Sequence, residues 1–514
     1  MGNIIRGIRS FFVSVYVGNN ILIQKKDLSM PDILKQILPK KRLQDDQIGF
    51  LFFFIALILG GWYRINAAYM AGFPIVDGGL FYTMTQTLQE NAYHLPLYVH
   101  YNSLDIPFAY PPLGFYLSGF LSNLLNIELI EIFQYFPATV LTLIIIAFYS
   151  FANLFLKSRL KAGVATFIYV HIPSATTWLI MGGGITRSLG QLFLILAIQQ
   201  IWLLFTQYSK KHLILTIIFS SLVSLSHPEA MVHTVGLAIL IFLFKKQKLE
   251  NLKKAFWVTI GTVFITSPWW ITILSRFGTR PFLSASKTSF HSFVVFLQLG
   301  VYPISGELFT TIIIALAIIG IAVNIAQKHY FLPIMYILPF ILDPRSGFNI
   351  TILAMALHAS IALCDFIFPA LAKIESRARG TSFNTILQSR SEKFLFANMI
   401  LIIFISMQTY SSQISQDRVS EENLQAYKWV ERNTPSNSRF LVITGSSNVL
   451  ADPTLEWFPT LAYRQSLTTI QGREWIDGEG FDNLYAGVQL LQNCITECIK
   501  RGKPNTLNGV SRTG

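Results

Sequence analysis

Apolar residues in this chain gather into runs of about 16–26, separated by short polar connectors, and each run is long enough as a helix to cross roughly 30 Å of hydrocarbon. The runs lie near 49–66, 131–156, 160–180, 187–207, 212–226, 228–245, 254–275, 306–326, 330–343, 348–372 and 393–410. A transmembrane barrel would instead show short strands of alternating polarity. The pattern predicts a polytopic α-helical membrane protein of eleven spans. His171 and Pro173 fall inside one run and predict a kink there. Pro111–Asn126 is also apolar and is expected to lie re-entrant or along the interface; if it crosses, parity requires thirteen spans.

Composition agrees with the pattern. The 514 residues are 52% hydrophobic and 13% charged, and mean hydropathy is +0.48, outside the range of an ordinary soluble protein. A net charge of +13 invites a nucleic-acid reading, but the basic residues cluster at helix ends and in short connectors, so no nucleic acid is expected. They report orientation instead. Residues 1–47 form a basic tail with Arg6, Arg9, Lys25, Lys26, Lys35, Lys40, Lys41 and Arg42. Within it Phe11–Ile23 is too short to span and reads as an interfacial helix, with no small-residue cleavage site behind it.

The connectors alternate. Lys157–Lys161, Lys210-Lys211, Lys245–Lys254, Lys328 and Lys373–Lys393 are basic, whereas 67–130, 181–186, 226–229, 276–305, 344–347 and everything after 410 are poor in Lys. The positive-inside rule places the first set with the N-terminus in the cytoplasm and the second set outside a plasma (inner) membrane. Trp62, Trp178, Trp269 and Trp270 then fall at outer helix ends, as an interfacial belt requires. The expected organisation is a tail over 1–47, a membrane domain over 48–410 whose first outer loop is 67–130, and an extracytoplasmic α/β domain over 411–514 without an obvious closing element at Thr513-Gly514.

The outer connectors hold the candidate chemistry. They carry Asp77 and Asp105, then Gly182-Gly183-Gly184-Ile185-Thr186-Arg187, then His227-Pro228-Glu229. Arg276, Arg280, Lys287 and His291 follow in 276–305, and Asp343-Pro344-Arg345-Ser346-Gly347 closes the set. Ionisable groups at that depth face a protein-lined or wet cavity because lipid does not solvate them. Guanidinium gives bidentate, charge-assisted bonds to phosphate, and a carboxylate can take a proton from an attacking hydroxyl. Plain structural uses exist for every piece. Asp-Gly-Gly suits a turn, Tyr110-Pro111-Pro112-Leu113 suits a helix start, the three glycines suit a turn or an anion nest, and Arg345 could anchor to headgroups. Their shared side is what favours function.

The plan of a cytoplasmic N-terminus, one span, then a long outer loop with an early acid and a later Pro-Pro-Leu resembles the GT-C superfamily of integral-membrane glycosyltransferases. That superfamily includes protein mannosyltransferases, aminoarabinose transferases and oligosaccharyltransferase catalytic subunits. The residues that carry the resemblance are Val76-Asp77-Gly78-Gly79-Leu80-Phe81-Tyr82 and Tyr110-Pro111-Pro112-Leu113-Gly114-Phe115-Tyr116. Glu421 to Val442 is similar to the helix-turn-strand that opens the extracytoplasmic domain of such proteins. The resemblance implies inverting transfer of a sugar from a polyprenyl-phosphate-linked donor, with Asp77 at the position of the general base. Arg345, Arg187 and His227 are then the candidate donor-phosphate ligands, and Tyr82, Asp105, Tyr110 and Glu229 candidate positioning residues.

Several GT-C enzymes pair acids in the first loop or add an acidic motif that holds a divalent metal. Here glycines follow Asp77, so no metal or other cofactor is expected unless Asp105 folds back toward it. In the tail, Trp457, Trp475, Arg464, Arg473, Glu456 and Glu474 suit sugar recognition or, more ordinarily, a domain core. Cys364 sits in a span, and the spacing of Cys494 and Cys498 disfavours a disulfide. No Walker loop, dinucleotide fingerprint or nucleophile elbow is present. A lipid-linked saccharide flippase, a secondary transporter or a non-catalytic scaffold is the alternative. Apolar mid-span positions, the lack of repeated halves and the long outer tail favour an enzyme.

Overall fold

The computed structural model describes residues 44–245, 249–286, 308–379, 389–478 and 480–500. The basic tail with Phe11–Ile23, Lys287 and His291 of the 276–305 connector, and the Thr513-Gly514 end all lie outside the described residues, as do the side chains of Cys494 and Cys498.

Helices stand where the apolar runs predict them. The chain runs α1 (Asp45–Ala71), α2 (Gly79–Glu90), a β1–β2 hairpin (Tyr98–Tyr101, Leu104–Pro107), α3 (Leu113–Leu125), α4 (Leu129–Leu156), α5 (Arg159–Val170), α6 (Ser174–Ile180) and α7 (Gly184–Thr206). It continues with α8 (Lys210–Ser226), α9 (Pro228–Phe244), α10 (Leu249–Phe277), α11 (Arg280–Ser286), α12 (Leu308–Ala326) and α13 (Phe331–Leu342). Then come α14 (Pro344–Ala362), a π turn (Leu363–Ile367), α15 (Phe368–Arg379) and α16 (Arg390–Ile414). Among the described residues six helices are long and apolar enough to cross a bilayer: Asp45–Ala71, Leu129–Leu156, Gly184–Thr206, Leu249–Phe277, Pro344–Ala378 and Arg390–Ile414. Shorter apolar helices accompany them.

Local chemistry sets the boundaries. Ser158 and Ser209 cap α5 and α8 by accepting from Lys161 N and His212 N at 3.3 and 3.2 Å. Pro228 and Pro344 each occupy the first turn of a helix, where the lost N–H is no cost, so His-Pro and Asp-Pro become sharp joints between antiparallel helices. The 160–180 run is broken at 171–173, at the expected kink. Pro173 cannot donate, and the freed groups are caught from α1: Tyr63 Oη donates to Val170 O at 2.6 Å and lies 3.0 Å from Thr176 Oγ1.

The core is built on α14, every residue of which from Ile350 to Ala362 is buried among α5, α12 and α13. The α1–α5 crossing is close because both helices bring a glycine to it. A Cβ on Gly163 would lie 1.9 Å from Gly49 O, and small residues let helix backbones approach this way in lipid. The opposite extreme is α10, whose Trp257, Ile260 and Phe264 are exposed as lipid-facing side chains would be.

The 67–130 stretch is structured rather than a loop. It holds α2, the hairpin and α3, and α3 has 13 residues, about 20 Å at 1.5 Å per residue and too short to span. The described residues from Asp45 onward form one compact unit, and the segment after α16 packs onto this first connector. Its elements are α17 (Glu421–Asn433), β3 (Arg439–Phe440), α18 (Pro453–Ala462), β4 (Gln465–Ser466) and α19 (Gly480–Lys500). The expected α/β character shrinks to one parallel pair of two-residue strands. Beyond Phe440 the backbone is bound by a side chain, not a strand: Gln492 Oε1 accepts from Thr444 N and Gly445 N at 2.9 and 3.0 Å. Phe73, Val419, Tyr427, Trp457 and Phe458 seal the two segments together.

Candidate active site

Asp77 sits between α1 and α2 on a turn clamped from two sides. Val76, at φ +56°, donates its N–H to Asp417 O at 2.7 Å, and its carbonyl accepts from Trp457 Nε1 at 3.2 Å. Gly182 N donates to Ile75 O at 2.9 Å, which lays the triple-glycine turn against the Asp77 turn. The fit excludes side chains: a Cβ on Gly182 would lie 2.0 Å from Asp77 O. Gly78, at φ +123°, takes a conformation open in practice only to glycine. Its N–H donates to Glu456 Oε1 at 3.0 Å, and Leu80 N reaches the same oxygen at 3.5 Å. Burial, then the charge of Asp77, pushes the Glu456 carboxyl well above the usual carboxylate range.

The Asp77 carboxylate faces the start of α7. Oδ1 accepts from Gly183 N at 2.8 Å, and Oδ2 accepts from Arg187 Nη2. Gly183 is the N-cap of α7, so the carboxylate occupies a helix N-terminus whose exposed amides and dipole favour an anion. The anion nest considered for Gly182–Gly184 is therefore filled by the chain's own carboxylate. Arg187 is 6% exposed, its guanidinium lies 4.0 Å from the Trp178 ring centroid, and its Nη1 has no partner among the described residues.

Four further predicted residues join this group. Arg345, at the first turn of α14, lies 5.9 Å from the same Trp178 ring and holds Glu229 with Nε–Oε1 at 3.8 Å. His227, at the α8–α9 joint, is buried, and its Nδ1 accepts from Ala230 N at 3.4 Å, which leaves the ring proton on Nε2. Burial, with Arg187 and Arg345 nearby, lowers this imidazole to about 3, so it is neutral. Tyr110 lies with its ring tilted 6.4 Å from that of His227, and burial lifts its hydroxyl well above the ordinary phenol value. Trp178, Arg187, His227, Glu229, His233 and Ser346 line one small pocket.

Two predicted residues stand elsewhere. Tyr82 packs with Trp457 and Phe133, at 5.8 and 5.6 Å between centroids, as part of the aromatic seal. Asp105 is an exposed hairpin residue that pairs across the strands with His100, Nδ1–Oδ1 3.3 Å. Among the described residues no group of three or more His, Cys, Asp or Glu could hold a metal ion. In the tail, Trp457 is fully buried core, whereas Trp475 lies 6.1 Å from Tyr110 at the edge of the site. Trp178, expected in an interfacial belt, is the surface that both guanidiniums share. His233 and Ser346 carried no sequence signal beyond their nearness to His227 and Arg345.

No family model matches the chain, and no curated protein matches it. Among solved structures it is similar to ArnT from Cupriavidus metallidurans bound to undecaprenyl phosphate, and to the same protein in the apo state. In each case the identity is 12% and the TM-score 0.49, over 88% of this chain and 91% of that one. The arabinofuranosyltransferase AftD from Mycobacteria is also similar, with 14% identity and a TM-score of 0.46 over 79% of this chain and 30% of that one.

Proposed function

We propose that this protein is an integral-membrane glycosyltransferase that moves a sugar from a polyprenyl-phosphate-linked donor to an acceptor hydroxyl at the outer face, with inversion. The observation that carries the reading is the meeting of Asp77 and Arg187 at the start of α7, with Arg187 and His227 lining one pocket and Arg345 near the Trp178 ring that Arg187 also covers. Asp77 serves as general base: it takes the proton of the acceptor hydroxyl as that oxygen bonds to the anomeric carbon. The bond from that carbon to the phosphate oxygen breaks, and the polyprenyl phosphate leaves with the electron pair. Arg187 and Arg345 neutralise the leaving phosphate, and the Nε2–H of His227 donates to it.

A carboxylate bonded to guanidinium is a weak base. The donor phosphate relieves this, because it competes for Arg187 and loosens the guanidinium from Asp77 Oδ2. Glu229 lines the pocket and orients Arg345, and Tyr110 packs behind it against His227.

Asp77→Asn keeps an acceptor for Gly183 N and removes the basic oxygen. Sugar transfer in membranes is expected to fall at least about 100-fold, the usual worth of a general base, with the protein still folded and inserted. Retained activity would remove Asp77 from the role. Arg345→Ala is expected chiefly to weaken binding of the lipid donor, and an unchanged apparent affinity would exclude it from the phosphate site.

A further inference from the structure

At the end of the bundle away from Asp77, four helices bring aromatic rings together. From Gly184, beside Asp77, to Trp202 the helix α7 rises about 27 Å at 1.5 Å per residue. There Trp202 lies 4.7 Å from Phe155 of α4 and 5.1 Å from Phe331 of α13, between ring centroids. Phe331 in turn lies 5.6 Å from Phe155 and 5.6 Å from Phe244 of α9. The cluster is open on one side: Phe244 is 43% exposed, and the other three rings are half-buried. Two lysines stand over it. Lys157 ends α4 and Lys245 ends α9. Lys245 Nζ lies 3.5 Å from the Trp202 ring centroid, and Lys157, itself exposed, is near enough for its charge to act on Lys245.

A helix C-terminus welcomes one cation and a ring face holds one, but two cations side by side repel. Among the described residues neither lysine has a carboxylate partner. At this end Asp46 holds Arg159 at 3.4 Å and Asp365 holds Lys161 at 2.7 Å. An anion that reaches both lysines removes the repulsion, and an apolar body attached to it covers the open rings. Free phosphate supplies only the first, and a zwitterionic lipid brings an ammonium of its own. We infer that Lys157 and Lys245 bind the headgroup phosphate of an anionic phospholipid, one acyl chain of which lies on Phe244 and Phe331. The lipid bridges the ends of α4 and α9. The charge asymmetry of the connectors assigns this end to the inner leaflet, where basic sites between helices meet anionic headgroups. The site is separate from the pocket beside Asp77 and does not depend on the glycosyltransferase reading.

The test is native mass spectrometry of the full chain in detergent with equimolar phosphatidylglycerol and phosphatidylcholine of matched chains. The wild type is expected to retain phosphatidylglycerol about thirtyfold over phosphatidylcholine, the worth of two lysines at a lipid surface. Lys157→Ala and Lys245→Ala should each remove about fivefold of that preference, and together nearly all of it. Lys157→Arg with Lys245→Arg keeps both charges, should keep the preference, and guards against an alanine pair that fails to fold. Lys210→Ala with Lys211→Ala removes two exposed lysines from the same end and should leave the preference unchanged. A wild type that prefers neither lipid overturns the inference, as does an arginine pair without the preference. Equal loss in the Lys210 and Lys211 pair overturns it too, since that assigns the preference to surface charge at large. Displacement of the lipid by inorganic phosphate alone would show a site for a free anion and sink the lipid.

Discussion

His227 shows how a single residue is set by its surroundings. It serves two helices at once, closing α8 and capping α9, and it does so as a neutral ring because its Nδ1 must accept from Ala230 N. Its folded value near 3 lies below the ordinary imidazole value near 6.5, so between those limits the unfolded chain binds a proton that the folded chain refuses. Stability from this residue is therefore full above about pH 6.5 and is lost as pH falls toward 3. Thermal unfolding in detergent from pH 8 to pH 4 should show a declining melting temperature that His227→Asn, still able to cap, makes shallower. An identical slope in the variant would locate the acid sensitivity elsewhere. The sequence flagged His227 for its place between helices, but its neutrality depends on burial and on Arg187 and Arg345, which lie far away in the chain.

At the scale of elements, the site is two glycine turns laid back to back. Each turn alone is ordinary, and the proposed chemistry depends on one delivering a carboxylate to the first amides of α7. Gly182→Ala would press its Cβ into Asp77 O, and overpacking of that kind costs about 1–3 kcal/mol. The expected result is a lowered melting temperature and at least tenfold loss of transfer. The control Gly487→Ala, inside α19 with nothing within 4 Å of the added Cβ, should leave transfer unchanged and the melting temperature unchanged or slightly raised. Equal behaviour of the two variants would mean that the turns do not depend on close contact. Periodicity and capping made the helices legible, including the break at His171 and Pro173. The partner of the Gly182–Gly184 turn was not legible, because nothing local distinguishes a nest that awaits a ligand from one already filled by Asp77.

At the scale of the molecule, the segment after α16 is part of the site's foundation. Glu456 of α18 accepts from Gly78 N, and Tyr101 of the hairpin donates to Glu456 O at 2.7 Å, so one helix ties together the Asp77 turn and the β1–β2 hairpin. On the proposed reading Glu456 acts as a positioning residue for Asp77. Glu456→Ala would strand a buried amide at about 1–3 kcal/mol and should lower kcat more than it raises KM for the lipid donor; Glu456→Gln keeps the acceptor and should retain most of the rate. A variant pair that changes KM alone would place Glu456 outside the support of Asp77. The amino-acid sequence by itself determined the helical membrane class, the positions of the helices, and Asp77, Arg187, His227 and Arg345 as the residues worth watching. These follow from local physics: apolar length against bilayer thickness, proline and glycine geometry, and the cost of charge near lipid. Only the tertiary structure decided that Asp77 and Arg187 form a pair and that Tyr82 and Asp105 stand apart. It alone placed Glu456 beneath the turn and linked His233, Ser346 and Asp343 by hydrogen bonds, because such meetings are fixed by packing between residues up to hundreds of positions apart.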